Sequence, residues 1–192
     1  MKSVLLSTPS KRCENIVSGK ETIEARKIIP SIPTPFKVYV YCTKGKPFIQ
    51  KIRFGDIAIS HTQISKNLFN GKVIGEFVCD KIEVLFNTNG NPENYMSDIL
   101  PNILQNTALS FKKFQDYVES RADKNNIRGL HISQLKIYDK PKELSEFSRP
   151  CSYDGICFSC KRFKANGSSY DICNSEITRP PRDWMYVEEL EE

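Results

Sequence analysis

The sequence predicts an α+β fold around a small, mostly antiparallel β-barrel flanked by helices, with a helical insertion and a Cys-rich loop toward the C-terminus. Three observations predict it. The chain opens with a strand, a helix and a series of β-rich segments, and it closes with a strand. The strand candidates are short, rich in Val, Ile, Tyr and Phe, and separated by Pro, Gly and Asn turns. Helical spacing is confined to one segment near the start and two in the middle.

Lys2 to Ser7 reads as a strand that Thr8-Pro9 ends. Ser10 to Ser18 reads as a helix, because Cys13, Ile16 and Val17 fall at helical spacing, Pro9 precedes them and Gly19 follows as a stop. Thr22 to Arg26 alternates and reads as extended, and Pro30, Pro33 and Pro35 then force a loop. Phe36 to Thr43 is the clearest strand. Residues 44–71 read as a hairpin or insertion with a short alternating run at Ile57-Ala58-Ile59-Ser60. Val73 to Leu85 reads as one strand run, and Asn87 to Pro92 as a turn. Tyr95 to Asn106 and Ser110 to Arg121 read as helices within an insertion over 94–126. In the second, Phe111, Phe114, Tyr117 and Val118 share a face. Leu130 to Tyr138 reads as a strand ended by Asp139-Lys140-Pro141, and Trp184 to Val187 as the last strand. Residues 188–192 form an acidic tail that reads as frayed. The whole, 1–192, reads as a single domain.

At 192 residues, 39% hydrophobic and 27% charged, the chain can bury a core without disulfides. No stretch approaches the roughly 18–20 apolar residues of a membrane span. The first seven residues hold a shorter apolar run than the roughly 7–15 of a secretory signal. Seven cysteines is an odd number and sits badly with a disulfide framework. These features point to a cytoplasmic protein with reduced thiols and no membrane partner.

The net charge of +5 is unevenly spread. Residues 1–53 hold 11 Lys/Arg against 3 Asp/Glu, whereas 54–192 hold 17 against 20. A basic first quarter suits an anionic ligand or nucleic acid, and it suits a solvated Lys-rich surface equally well.

The Cys-rich segment 148–176 contains four Cys and six Ser and few large aliphatics. Its cysteines are spaced Cys151-x5-Cys157-x2-Cys160-x12-Cys173. A C-x2-C pair presents two thiolates from one tight turn, and tetrahedral zinc needs four ligands. The spacing therefore makes a structural zinc site from Cys151, Cys157, Cys160 and Cys173, with disulfides or unliganded thiols as the alternatives. Cys13, Cys42 and Cys79 lie among apolar neighbours and read as buried thiols. His61 and His131 have no ligand partner at an obvious spacing.

The segment Gly19-Lys20-Glu21-Thr22-Ile23-Glu24-Ala25-Arg26 resembles the G-x-K-x-x-E-x-R signature of ASCH domains, a branch of the PUA-like superfamily, with Gly19, Glu24 and Arg26 on the motif. Val4 to Ser7, Val38 to Cys42, Gly71 to Phe77, His131 to Leu144 and Arg179 to Glu189 are similar to the family's other strands, in order, and look like its bacterial and phage versions. The resemblance implies a PUA-like barrel with a site lined by Gly19–Arg26, binding RNA or a nucleotide. Some members are enzymes: an amidohydrolase that deacetylates N4-acetylcytidine, with a Lys at the third motif position and a Thr at the sixth, and a type described as a ribonuclease. Here those positions are Glu21 and Glu24. Lys20 is adjacent, but a shift of one residue in an extended segment turns a side chain to the opposite face.

Lys11, Arg12, Lys20, Arg26 and Lys27 make a basic cluster near the motif. Arg26 suits a phosphate and Glu24 a base edge, or the two brace one strand against its neighbour. Tyr39, Tyr41, Trp184 and Tyr186 are either stacking platforms or core, and Trp184, after Arg179-Pro180-Pro181-Arg182, is the best stacking candidate. The expected function is an RNA- or nucleotide-binding module without catalysis of its own, its site lined by Lys11, Arg12, Lys20, Glu24, Arg26 and Trp184. The alternatives are a hydrolase of a modified nucleoside or RNA, and an interaction protein that uses residues 94–121 to bind a host or other protein partner.

Overall fold

Strand β1 (Lys2–Thr8) is the spine of the molecule, here a computed structural model that describes residues 2–53, 56–60, 68–86, 100–119, 127–150 and 175–190. Six of the seven β1 residues are buried, because both faces of this strand are covered. Helix α1 (Ser10–Val17) follows, and Gly19 ends it at φ +71°, a backbone region open to glycine at no steric cost. Then come β2 (Ile23–Arg26), β3 (Phe36–Cys42), the hairpin β4 (Phe48–Arg53) and β5 (Asp56–Ser60), β6 (Val73–Cys79) and β7 (Ile82–Phe86). Helices α2 (Leu100–Thr107) and α3 (Phe111–Glu119) precede β8 (Ile127–His131), β9 (Ser133–Lys142) and β10 (Trp184–Glu188).

The strands form a five-stranded sheet, β10-β1-β3-β6-β9, a three-stranded sheet, β2-β8-β7, and the separate β4–β5 pair. All pairs are antiparallel except β1 with β3. This is the expected α+β class, but no described pairing joins the edges β10 and β9 of the large sheet. Among the described residues the sheet is open, where the sequence pointed to a closed barrel.

A corner explains much of the difference. The runs Val73 to Leu85 and Leu130 to Tyr138 each read as a single strand in the sequence. The first instead leaves the large sheet for the small one at Asp80-Lys81, and the second leaves the small sheet for the large one at Ile132. The corner is stitched by His131 N–H to the Lys81 carbonyl (3.0 Å) and Ile132 N–H to the Thr22 carbonyl (2.9 Å). Leu130 to Tyr138 is therefore two strands, and the second continues through Pro141 to Lys142.

Alternation along β1 and β3 feeds two cores. Val4, Leu6, Val38, Val40 and Cys42 point to one side, with Cys13 of α1, Phe77 and Ile74. Leu5, Tyr39 and Tyr41 point to the other, with Phe147, Ile177 and Val187. Fully burying each Leu or Val contributes about 1.5–3 kcal/mol, so covering both faces is what secures this strand pair. Tyr39 and Tyr41 are core residues at 0% and 3% exposure and offer no ring to a ligand. A third core packs Ile103 of α2 and Phe114 of α3 onto Ile23, Leu85 and Ile127 of the small sheet.

The start of the acidic tail is tied down. Glu188 ends β10, Glu189 pairs with Lys37 at 2.9 Å, and Leu190 N–H donates to the Tyr39 hydroxyl at 2.9 Å. Among the described residues no helix is long and apolar enough to cross a membrane.

Candidate nucleic-acid interface

The segment Gly19–Arg26 enters the small sheet beside α1. Glu24 and Arg26, two apart on β2, do share a face, and the Arg26 Nε–H donates to Glu24 Oε1 at 2.8 Å. Arg26 also donates to the Ser7 carbonyl of β1 (2.9 Å) and pairs with Asp183, just before β10. From the other side Arg12 of α1 reaches both glutamates: it pairs with Glu21 and lies 2.9 Å from Glu24 Oε1. Five charged side chains from α1, the α1–β2 connection, β2 and the approach to β10 thus meet at the C-terminal end of β1.

Both glutamate side chains in this cluster are 0% exposed, Arg26 is 10%, Arg12 21% and Asp183 40% exposed. Burial pushes the Glu21 carboxyl up to about 8, and the Glu24 charge beside it adds to the shift while Arg12 opposes it. Burial thus favours the neutral form of Glu21. Glu24 Oε2 is buried without a hydrogen-bond partner, whereas Oε1 takes both guanidinium contacts. The thiol of Cys13, fully buried on α1, is held well above its usual range by burial first and then by Cys42, Glu24 and Glu21.

The six residues singled out in the sequence fare differently. Arg12, Glu24 and Arg26 come together, but they bind one another. Lys20 is exposed while Glu21 is 1% exposed, so the one-residue offset does turn the lysine out of the cluster. Lys11 is exposed and pairs with Glu14 at 2.7 Å. Trp184 is half-buried; its indole N–H donates to the Ile28 carbonyl (3.0 Å), and its ring meets Tyr186 edge-on at 5.2 Å. Tyr186 in turn accepts the Ser31 N–H at 2.8 Å. These two aromatics therefore anchor the loop after β2. Glu21 and Asp183 were missed as partners. Glu21 stood out only as a departure from the motif, and no spacing links it to Arg12.

Around this buried cluster the surface is basic. Ser7 donates its N–H to the Asp183 carbonyl at 2.9 Å and its hydroxyl to the Pro181 carbonyl at 2.7 Å, which seats the loop Thr178–Asp183 against the end of β1. Thr43 N–H bonds the Thr8 carbonyl at 2.9 Å, which seats the loop after β3 there too. These loops bring Lys44, Lys46, Arg179 and Arg182, all exposed, to the end where Lys11 begins α1.

Cys151, Cys157, Cys160 and Cys173 lie outside the described residues, as do His61, residues 87–99 and 120–126, and the last two tail residues. Among the described residues no group of three or more His, Cys, Asp and Glu is placed to hold a metal ion. Cys13, Cys42 and Cys79 are buried free thiols. His131, on β8, holds Asp80 through Nδ1 at 2.7 Å, at the corner between the sheets.

No protein-family model and no curated protein matches the chain. Solved structures of the ASCH protein of Zymomonas mobilis are similar to it. A Tyr-to-Phe variant shares 17% identity at a TM-score of 0.49, over 98% of this chain and 92% of that one. A second structure of that protein shares 17% at 0.46, over 97% and 88%. A Ser-to-Ala variant shares 18% at 0.47, over 97% and 89%.

Proposed function

We propose that the chain is an RNA- or nucleotide-binding module of the ASCH type, working without chemistry of its own. The observation that carries this reading is the basic end of the large sheet. Lys11, Lys44, Lys46, Arg179 and Arg182 are exposed there around a buried cluster whose two arginines are already paired with carboxylates. Exposed cations from a helix start and two loops suit a flexible anionic backbone, which conforms to them without a deep pocket. Arg12, Glu24 and Arg26 serve this surface by positioning α1, β1, β2 and the Thr178–Asp183 loop, while Lys11 and the loop cations meet the ligand. The resemblance of the Gly19–Arg26 segment to the ASCH signature agrees with the placement.

A labelled single-stranded RNA titrated against the protein tests the reading. Replacing Lys11, Arg179 and Arg182 together by Ala should weaken binding at least tenfold at low salt while leaving the fold intact. Unchanged affinity would refute the surface. N4-acetylcytidine incubated with the protein should return unaltered, because Lys20 lies outside the cluster; turnover abolished by Lys20→Ala would replace binding with catalysis as the function. The zinc site rests on cysteine spacing alone, and metal analysis of protein prepared without chelator should find about one equivalent.

A further inference from the structure

The buried cluster contains more acid than its two arginines balance. Arg12 and Arg26 face three carboxyl groups, Glu21, Glu24 and Asp183. Asp183, at 40% exposure, shares its charge with solvent, but Glu21 and Glu24 are wholly enclosed and held close together by the one Arg12 guanidinium that both contact. Two ionised carboxylates at that separation repel strongly in a medium that screens poorly. A buried carboxylate oxygen without a donor is also costly, and Glu24 Oε2 is such an atom. One proton removes both difficulties: carried on Glu21, it makes an O–H donor for Glu24 and leaves two cations facing two anions.

We propose that Glu21 and Glu24 share a single proton, and that this proton makes the α1–β2 contact a pH-sensitive clasp that loosens in mild alkali. Arg12 bridges α1 to both acids, and Arg26 carries the link on to β1 and the approach to β10. Loss of the proton places a third negative charge in the cluster and leaves Glu24 Oε2 against a like charge. Among the described residues the other ionisable groups facing the pair are Cys13 of α1, its thiol held above the usual range, and, behind it, Cys42 of β3; neither supplies a cation to compensate the extra anion. The direction follows from proton linkage. Glu21 holds its proton more tightly folded, at about 8, than at its ordinary value of 4.5. Its contribution to stability is therefore complete below 4.5 and is lost progressively as the pH rises to about 8. Most carboxylates paired with arginine behave in the opposite sense.

Carbon-13 labelling of the glutamate carboxyls in the intact chain tests this directly. The wild type should show one glutamate carbon titrating near pH 8, absent from Glu21→Gln. All glutamate carbons titrating below pH 6 would overturn the proposal. In parallel, the urea midpoint of the wild type should fall between pH 6 and pH 9, while that of Glu21→Gln, which keeps a neutral donor, stays level. His131 with Asp80, and the thiols, are the same in both proteins, so the difference between the two curves isolates Glu21. An equal fall in both would overturn the clasp. Should Glu21→Gln fail to fold, the wild-type carbon titration decides alone.

Discussion

The cluster of Arg12, Glu21, Glu24, Arg26 and Asp183 and the network of Lys37, Glu76, Tyr138 and Glu189 are built from the same chemistry at different depths. In the second, Lys37 lies 2.9 Å from Glu189 and 3.8 Å from Glu76, and the Tyr138 hydroxyl donates to Glu76. Its charged members are 14–31% exposed, so water can take over when one is removed. In the first cluster both glutamates are sealed, and a missing partner leaves a charge that water cannot reach. Depth therefore sets what each network does. The enclosed one fixes how α1, β2 and the loop before β10 meet, and the wetter one fastens the chain end against the sheet.

The largest expected contrast comes from removing one acid at each place. Glu24→Ala strips Arg12 and Arg26 of the oxygen they share and should cost about 3–5 kcal/mol in urea unfolding at pH 7, the range for breaking a buried pair. A loss below about 1 kcal/mol would place the two networks in one class.

Packing beside the enclosed cluster gives an intermediate effect. Gly129 of β8 pairs with Ala25, between Glu24 and Arg26, and a Cβ there would lie 2.4 Å from Ile23 Cγ2. Gly129→Ala should cost about 1–3 kcal/mol by overpacking. It should also weaken RNA binding, since it moves the strand that positions the site. Stability lost with affinity unchanged would separate β2 from the ligand surface.

The smallest effect belongs to the wetter network. Lys37→Met should change stability by about 0–1 kcal/mol, and any loss should shrink in high salt. A loss as large as that of Glu24→Ala would show that depth is not what distinguishes the two.

What the sequence made legible was local. Gly19 marks the end of α1, Thr8-Pro9 marks the end of β1, β-branched and aromatic residues mark β3, and the two-residue spacing of Glu24 and Arg26 puts them on one face. The sheet corners were not legible, because Asp80-Lys81 and Ile132 interrupt β-rich runs without a proline or glycine to mark the bend. Nor was the partnership of Arg12 with Glu21, or of Arg26 with Asp183 far along the chain, since tertiary pairing leaves no periodicity behind. The basic character of the first quarter was visible. That Arg179 and Arg182 join it at the end of β1 follows only from the bonds of Ser7 to Pro181 and Asp183.

Salt dependence of RNA binding tests the proposed surface most directly. Binding through the exposed cations at the end of the large sheet should release counterions, so the logarithm of the affinity should fall linearly with the logarithm of salt concentration. For a single strand each phosphate contact contributes a slope of about −0.7. A slope steeper than about −2, reduced by roughly 0.7 for each of Lys11, Arg179 and Arg182 replaced by Ala, is the predicted result. A slope near zero, or one that these substitutions leave unchanged, would contradict binding at this end of the molecule.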